Sequence, residues 1–141
     1  MPRAQTELSY EDTYKMYRPI GNKNRKIGAE AEKAALIWLF LKGYKYVATN
    51  YTVKGGEVDI IVRNREYLVF VEVKCRKEGS MVSPSEAVDE GKKERMIRTA
   101  NAFIAQSGGQ YGNLQPRFDV LTLQLQKNGR FKFSEHIQNA F

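Results

Sequence analysis

The stretch EVDIIVRNREYLVFVEVK, residues 57 to 74, constrains the fold more than any other part of the chain. Two runs rich in β-branched and aromatic residues flank Asn64-Arg65 and read as a hairpin of strands 57–63 and 67–75. Val58, Ile60, Val62, Val69, Val71 and Val73 make one face apolar, and Ile61, Leu68 and Phe70 do the same for the other. A hairpin apolar on both sides belongs in the middle of a sheet covered on both faces. Yet Glu57, Asp59, Glu72 and Lys74 interrupt it near the strand ends. With Arg63 facing Glu66 across a two-residue loop, Asp59 faces Phe70 and Glu57 faces Glu72. By alternation all four charged groups then project from one face.

Further elements surround this hairpin. Residues 28–42 (GAEAEKAALIWLFLK) are rich in strong helix formers and end at Gly43, with Trp38, Leu39 and Phe40 expected in the core. Residues 44–53 read as a strand. In residues 89–107, Met96, Ile97, Ala100, Phe103 and Ile104 recur at helical spacing, opposite Lys92, Lys93, Arg95 and Arg98. Ser83-Pro84 suits the entry to that helix. Residues 117–126 and 130–134 form a strand pair around Asn128-Gly129. The order is α-β-β-β-α-β-β, an α/β mixed sheet flanked by helices, and the second helix leaves room for a parallel crossover. Residues 1–22 lack a clear period and read as a flexible tail, perturbed only by a capping box at Ser9 and Asp12; residues 23–141 read as one domain.

Charge and composition narrow the function. The 141 residues carry 23 Lys and Arg against 16 Asp and Glu, a net charge of +7, which favours a polyanionic partner. The apolar run Leu36–Leu41 falls far short of the roughly 18 residues that cross a bilayer, so no membrane role is expected. The N-terminal residues lack the apolar segment of a secretory signal, and Cys75 is the one cysteine. Both point to a reducing, cytoplasmic setting.

Asp59 and Glu72 on one face of a central hairpin repel unless a cation lies between them. Hard oxygen ligands with open positions suit Mg²⁺ or Mn²⁺, and Lys74, two residues beyond Glu72, shares their face. A metal site, an oriented water and a positive group are the parts that phosphodiester hydrolysis needs. The same spacing also fits a solvated cross-strand ion pair. The apolar neighbours Ile61, Leu68 and Phe70 on that face argue for a site at the rim of the core.

Asp59 followed by Glu72-Val73-Lys74 resembles the PD-(D/E)xK nuclease signature, with Val58 in place of its proline. More widely, residues 28–141 resemble the YraN family of predicted bacterial endonucleases, distantly related to archaeal Holliday junction resolvases. The resemblance includes Gly28, Glu32, Ala35, Leu39, Gly43-Tyr44, Asn50, Gly56-Glu57-Val58-Asp59 and Val69 through Lys74 with Arg76. It continues through Glu86-Ala87-Val88, Lys92, Arg95, Arg117 through Val120, His136-Ile137 and Asn139-Ala140-Phe141. Departures are Ala31, Thr52 and Cys75, where the family commonly has glycine, arginine and threonine. None removes an expected metal ligand.

The resemblance implies a restriction-endonuclease-like fold and a Mg²⁺- or Mn²⁺-dependent endonuclease acting on DNA, including branched DNA. Asp59 and Glu72 would be metal ligands, helped by the backbone carbonyl of Val73, with Lys74 as the catalytic lysine. Glu32 would approach from the first helix in preference to Glu30. Glu57 is a second ligand or a structural partner. Arg76, Lys77, Lys92, Lys93 and Arg95 are candidate DNA contacts, against the plainer reading of solvated charge. A homodimer would suit symmetric cutting of two strands. A different class remains open: a nucleic-acid-binding module that does not cut, in a repair, recombination or uptake complex. Tyr44, Tyr46 and Tyr51 are read as core or edge packing in preference to platforms for unpaired bases, Asp119 as support for the sheet in preference to the site, His136 as an anchor of the terminus in preference to a general base, and Cys75 as an apolar filler.

Overall fold

The structure, a computed structural model, describes residues 24–79 and 89–141. The tail with its Ser9/Asp12 box, the Ser83-Pro84 helix entry and Glu86-Ala87-Val88 lie outside the described residues. The elements run α1 (Asn24–Leu41), β1 (Lys45–Val53), β2 (Gly56–Arg63), β3 (Tyr67–Lys77), α2 (Glu90–Gln106), β4 (Gln115–Leu125) and β5 (Phe131–Ile137). This α/β order is the one read from the sequence. Among the described residues no helix is long and apolar enough to cross a membrane.

The strands form one sheet in the order β1-β2-β3-β4-β5. β3 and β4 are parallel, with α2 as the crossover between them, and the other neighbours are antiparallel. Helix α1 covers one face: Ala31, Ala34, Ala35 and Leu39 pack on Ile60, Val62, Val69, Val71, Leu121 and Leu123. Helix α2 covers the other, Ala100 meeting Ile61, Leu68, Phe70 and Leu114. The central strands are buried on both sides, as their double apolar pattern requires. Gly43 ends α1 at φ 101°, with Gly43 N–H donating to the Phe40 carbonyl and Tyr44 N–H to that of Leu39.

Three packing expectations need correction. Phe40 is 37 % exposed, because it falls off the Ala31–Ala35–Leu39 stripe of α1. Ile97 is 40 % exposed on α2, and Lys92 lies on the inner side of that helix in its place. Tyr46 projects outward from the edge strand β1, 59 % exposed, whereas Tyr44 is buried and Tyr51 packs edge-on against Phe103.

A second buried polar cluster ties the C-terminal strands to the core. Asp119 accepts from Arg117 Nε at 2.9 Å and Nη2 at 2.8 Å, and from the Asn139 N–H at 3.0 Å. His136 Nε2 lies 2.8 Å from the same carboxylate, and Arg117 Nη2 also donates to the Tyr44 hydroxyl at 2.5 Å. Burial opposes the charge on Asp119, but His136, Arg117 and Asn139 outweigh it and hold the carboxyl below its usual pKa. Ala140 N–H donates to the Phe118 carbonyl and the Phe141 ring stacks on Phe118, so the chain end is pinned beside this cluster. Asp119 and His136 are thus structural, as expected. Asp119→Ala would leave the Arg117 guanidinium buried without its countercharge. Urea unfolding should show a loss of about 3–5 kcal/mol, and a loss below about 1 kcal/mol would contradict a structural role for the cluster.

Candidate functional site

The hairpin register places the carboxylates closer than the expected pairing did. Ile60 pairs with Val71, Ile61 with Phe70, Val62 with Val69 and Arg63 with Leu68. Asp59 therefore falls level with Glu72 and not opposite Phe70. The cause is local. Asn64 Oδ1 accepts from the Glu66 and Tyr67 amides at 2.9 and 2.7 Å, closing the loop one residue later on each strand. A slip of this kind is even, so the faces are preserved.

At Asp59 the regular ladder stops. β2–β3 pairing is recorded from Ile60–Val71 to Arg63–Leu68, and Asn50, across β1 from Asp59, adopts φ 51°. Beyond that point the Val73 N–H donates to Asp59 Oδ2 at 2.9 Å, so a side chain replaces a main-chain acceptor. The irregularity also turns Val58 into the α2-side cluster, whereas alternation assigned it to the α1 side. Strand β2 thus opens where its aspartate meets β3.

Asp59 and Glu72 lie close enough for the charge of Glu72 to act on the Asp59 carboxyl. Burial, then the charge of Glu72, raise the Asp59 carboxyl to about 7 despite the Val73 hydrogen bond. Glu72 is the more deeply held partner, its side chain 5 % exposed. Lys74 Nζ lies 3.1 Å from Glu72 Oε2, and Lys92 Nζ from α2 contacts the same oxygen. Burial and the neighbouring Lys92 lower the Lys74 pKa. For Lys92, burial acts in the same sense but the Glu72 contact outweighs it and raises the pKa.

The remaining expected residues divide. Glu32 stands near enough for its pKa to be raised by burial and by Glu57 and Glu72, against the lowering effect of a hydrogen bond with Asn50. Among the described residues no three Asp, Glu, His or Cys side chains gather as a metal-ligating group. The acidic centre is therefore the Asp59–Glu72 pair, with Glu32 and Glu57 around it. The half-buried Asp59 beside the buried Glu72 offers hard oxygen donors of the kind that would suit a divalent ion. Mg²⁺ or Mn²⁺ binds through one or two carboxylates and keeps its waters.

Beside the pair, a cleft of about 540 Å³ runs between the β1–β2 turn and α2, with Gly56, Glu57, Lys92, Arg95 and Met96 in its wall. Asp89 caps α2, accepting the Lys92 N–H at 2.7 Å. Lys93 faces elsewhere, paired with Glu90 at 3.3 Å and 5.7 Å from the Phe141 ring centre, so it does not join this cleft. Arg76 follows Lys74 on its face of β3 and Lys77 takes the opposite one. Cys75 packs among partly buried apolar groups on the α1 side, where burial raises its pKa.

The Lys92–Glu72 contact is the feature that sequence reasoning missed. A signal existed: Lys92, Met96 and Thr99 recur at i, i+4 and i+7, which puts the lysine at the N-terminal end of the buried stripe.

Fold and site together define a class, α/β proteins with an acid-pair-and-lysine centre at the opening of a central hairpin. The chain belongs to the family described as Uncharacterised protein family UPF0102, whose model matches residues 31–123. It is 39% identical over 116 residues to a UPF0102 protein of Carboxydothermus hydrogenoformans, covering 82% of this chain and 95% of the relative. It is 40% identical over 118 residues to one of Clostridium acetobutylicum, covering 84% and 95%. A Salmonella arizonae relative named UPF0102 protein YraN is 36% identical over 106 residues, covering 72% and 81%.

Two predictions follow from this geometry. A Cβ at Gly56 would stand 2.3 Å from Thr99 Oγ1 and 2.9 Å from the Arg95 carbonyl, so the glycine lets α2 press against the β1–β2 turn. Gly56→Ala should lower unfolding free energy by about 1–3 kcal/mol, and unchanged stability in urea would show that the helix yields freely. Asp59 binds its proton more tightly folded than unfolded. Its stabilising contribution is full below its ordinary pKa near 4 and disappears as pH rises through about 7. With chelator present, Asp59→Asn should therefore gain stability relative to the parent chain as pH rises from about 5 to about 8. Parallel thermal-denaturation profiles across that range would contradict the shift.

Proposed function

We propose that this protein is a metal-dependent endonuclease that hydrolyses DNA phosphodiester bonds. The observation that carries the reading is the convergence of Asp59, Glu72 and Lys74 at the open end of the hairpin, with Lys74 Nζ 3.1 Å from Glu72. Asp59 and Glu72 would hold the ion, with the Val73 carbonyl assisting and Glu32 reaching it through water. A divalent ion held there supplies Lewis-acid polarisation of a phosphate and a more acidic bound water.

The chain's own groups do the rest. Lys74, fixed on the same strand as Glu72, offsets charge that develops on phosphate oxygens and orients the attacking water. Burial around the pair keeps the local dielectric low, which strengthens each of these interactions. Lys92 and Arg95 line the adjoining cleft, and the net charge of +7 draws a polyanion toward it. Their spacing along one side of α2 suits successive phosphates of a backbone.

A second reading has one observation in its favour. Glu72 already has two ammonium partners. A protein that binds nucleic acid without cutting it has the same use for such a neutralised, stable centre. A cleavage panel of single-stranded, duplex, flap and four-way DNA with Mg²⁺ and Mn²⁺ separates the two. Cleavage should occur with metal and fall by about 10²-fold or more in Asp59→Ala and Lys74→Ala, with DNA still bound. Salt-sensitive binding with no cutting of any substrate by the parent chain would establish the binding module instead.

A further inference from the structure

We propose that Lys92 holds the place of the divalent cation on Glu72, and that cation binding releases its ammonium to a substrate phosphate in the cleft. The proposal rests on the metal-site reading above and adds a residue and a sequence of binding to it.

Two ammonium groups meet one carboxylate oxygen, Glu72 Oε2. Like charges converge this way only where negative charge is concentrated, here by Glu72 and the adjoining Asp59. The two lysines are not equivalent. Lys74 sits two residues from Glu72 on the same strand, its side chain 16 % exposed. Lys92 comes from another element, is 31 % exposed, and lines the cleft together with Arg95.

Its position on α2 is also unfavourable for a cation. Asp89 is the N-cap, so Lys92 stands in the first turn, where the aligned peptide dipoles favour negative groups. Local helix electrostatics therefore do not hold it against Glu72; the carboxylate does. A doubly charged ion on Asp59 and Glu72 would repel this ammonium, and its long, flexible stem can carry it into the cleft that it already lines. There it would meet a phosphate that the same ion has drawn in. Lys92 thus stabilises the buried acid before the ion arrives and becomes a phosphate contact afterwards.

Isothermal titration of the metal-free full chain with Mn²⁺ tests this. Lys92→Gln and the unbranched Lys92→Met should each bind Mn²⁺ about tenfold more tightly than the parent chain. Arg95→Gln removes a positive charge from the same cleft with no contact to Glu72, and should change affinity less than about threefold. Equal tightening in Arg95→Gln and Lys92→Gln would overturn the proposal, because general charge would explain it. Unchanged or weaker binding in both Lys92 variants would also overturn it, while loss of binding in Asp59→Ala left the metal site standing. Parent-like binding in Asp59→Ala would overturn the metal site itself. The salt dependence of duplex DNA binding gives a second readout. Replacing chelator with Ca²⁺ should steepen the parent's log–log slope by about 0.9, one extra phosphate contact, and leave that of Lys92→Gln unchanged. Identical slopes in the parent chain under both conditions would overturn the release step.

Discussion

A carboxylate withdrawn from water must find positive charge or give up its own, and Glu72 is the residue at which this chain meets that requirement. Its side chain is 5 % exposed at the middle of the sheet. Lys74 comes from its own strand, Lys92 from the helix that crosses above, and Asp59 from the neighbouring strand. Each of these contacts fixes a relation between elements. The crossover helix is bound to β3 by an ion pair as well as by Met96 and Ala100 in the core. The opening of β2 is bound to β3 by Asp59 and the Val73 amide.

The chain holds a second buried acid, and the contrast shows how environment divides the labour between them. Asp119 has a guanidinium, an imidazole and a main-chain amide directed at it. Its negative charge is over-determined, so it locks β4 to the C-terminal segment. Asp59 has one amide and a neighbouring carboxyl, and burial, then the charge of Glu72, raises its pKa. Two aspartates in one chain thus have opposite shifts, and the raised one sits beside Glu72, whose partner Lys92 lines a cleft open to solvent. Groups whose protonation is poised by their surroundings are those to which chemistry is usually entrusted.

Most of the sheet was legible because its signals are local and repeated. The doubly apolar hairpin announced central strands, the glycine at 43 a helix end, and the interval after β3 a parallel crossover. The pairing of Asp59 was misjudged by one turn of chemistry at Asn64, whose side chain moves the loop without changing its parity. Val58 defied alternation because the strand bends at a carboxylate that bonds to the neighbouring backbone, an event set by tertiary contact. Lys92 reads as a DNA contact or a solvated charge opposite the apolar stripe, because lysine on a helix ordinarily faces water. Its spacing from Met96 and Thr99 instead puts it at the end of the inner stripe, against Glu72. Glu32 and Glu57 could be placed near the acids but not ranked, since reach across helix and strand depends on rotamers that no spacing encodes.

The basic residues around the site divide by what already neutralises them. Lys93 has Glu90 and Arg117 has Asp119. Lys74 and Lys92 share Glu72, so two positive groups there answer one deeply buried negative one. Arg95 lines the cleft beside them, and Arg98 brings Nη1 close to Gly55 at its β1–β2 rim. The positive balance at this opening therefore originates in the same cluster that buries the acid. A polyanion approaching it meets cations held at the cleft wall and carboxyls below them. On the nuclease reading, such a layered arrangement would attract a phosphate backbone to the site and leave the acid pair able to take a small divalent ion in place of an ammonium. Attraction of substrate and retention of metal would then be two consequences of a single buried charge.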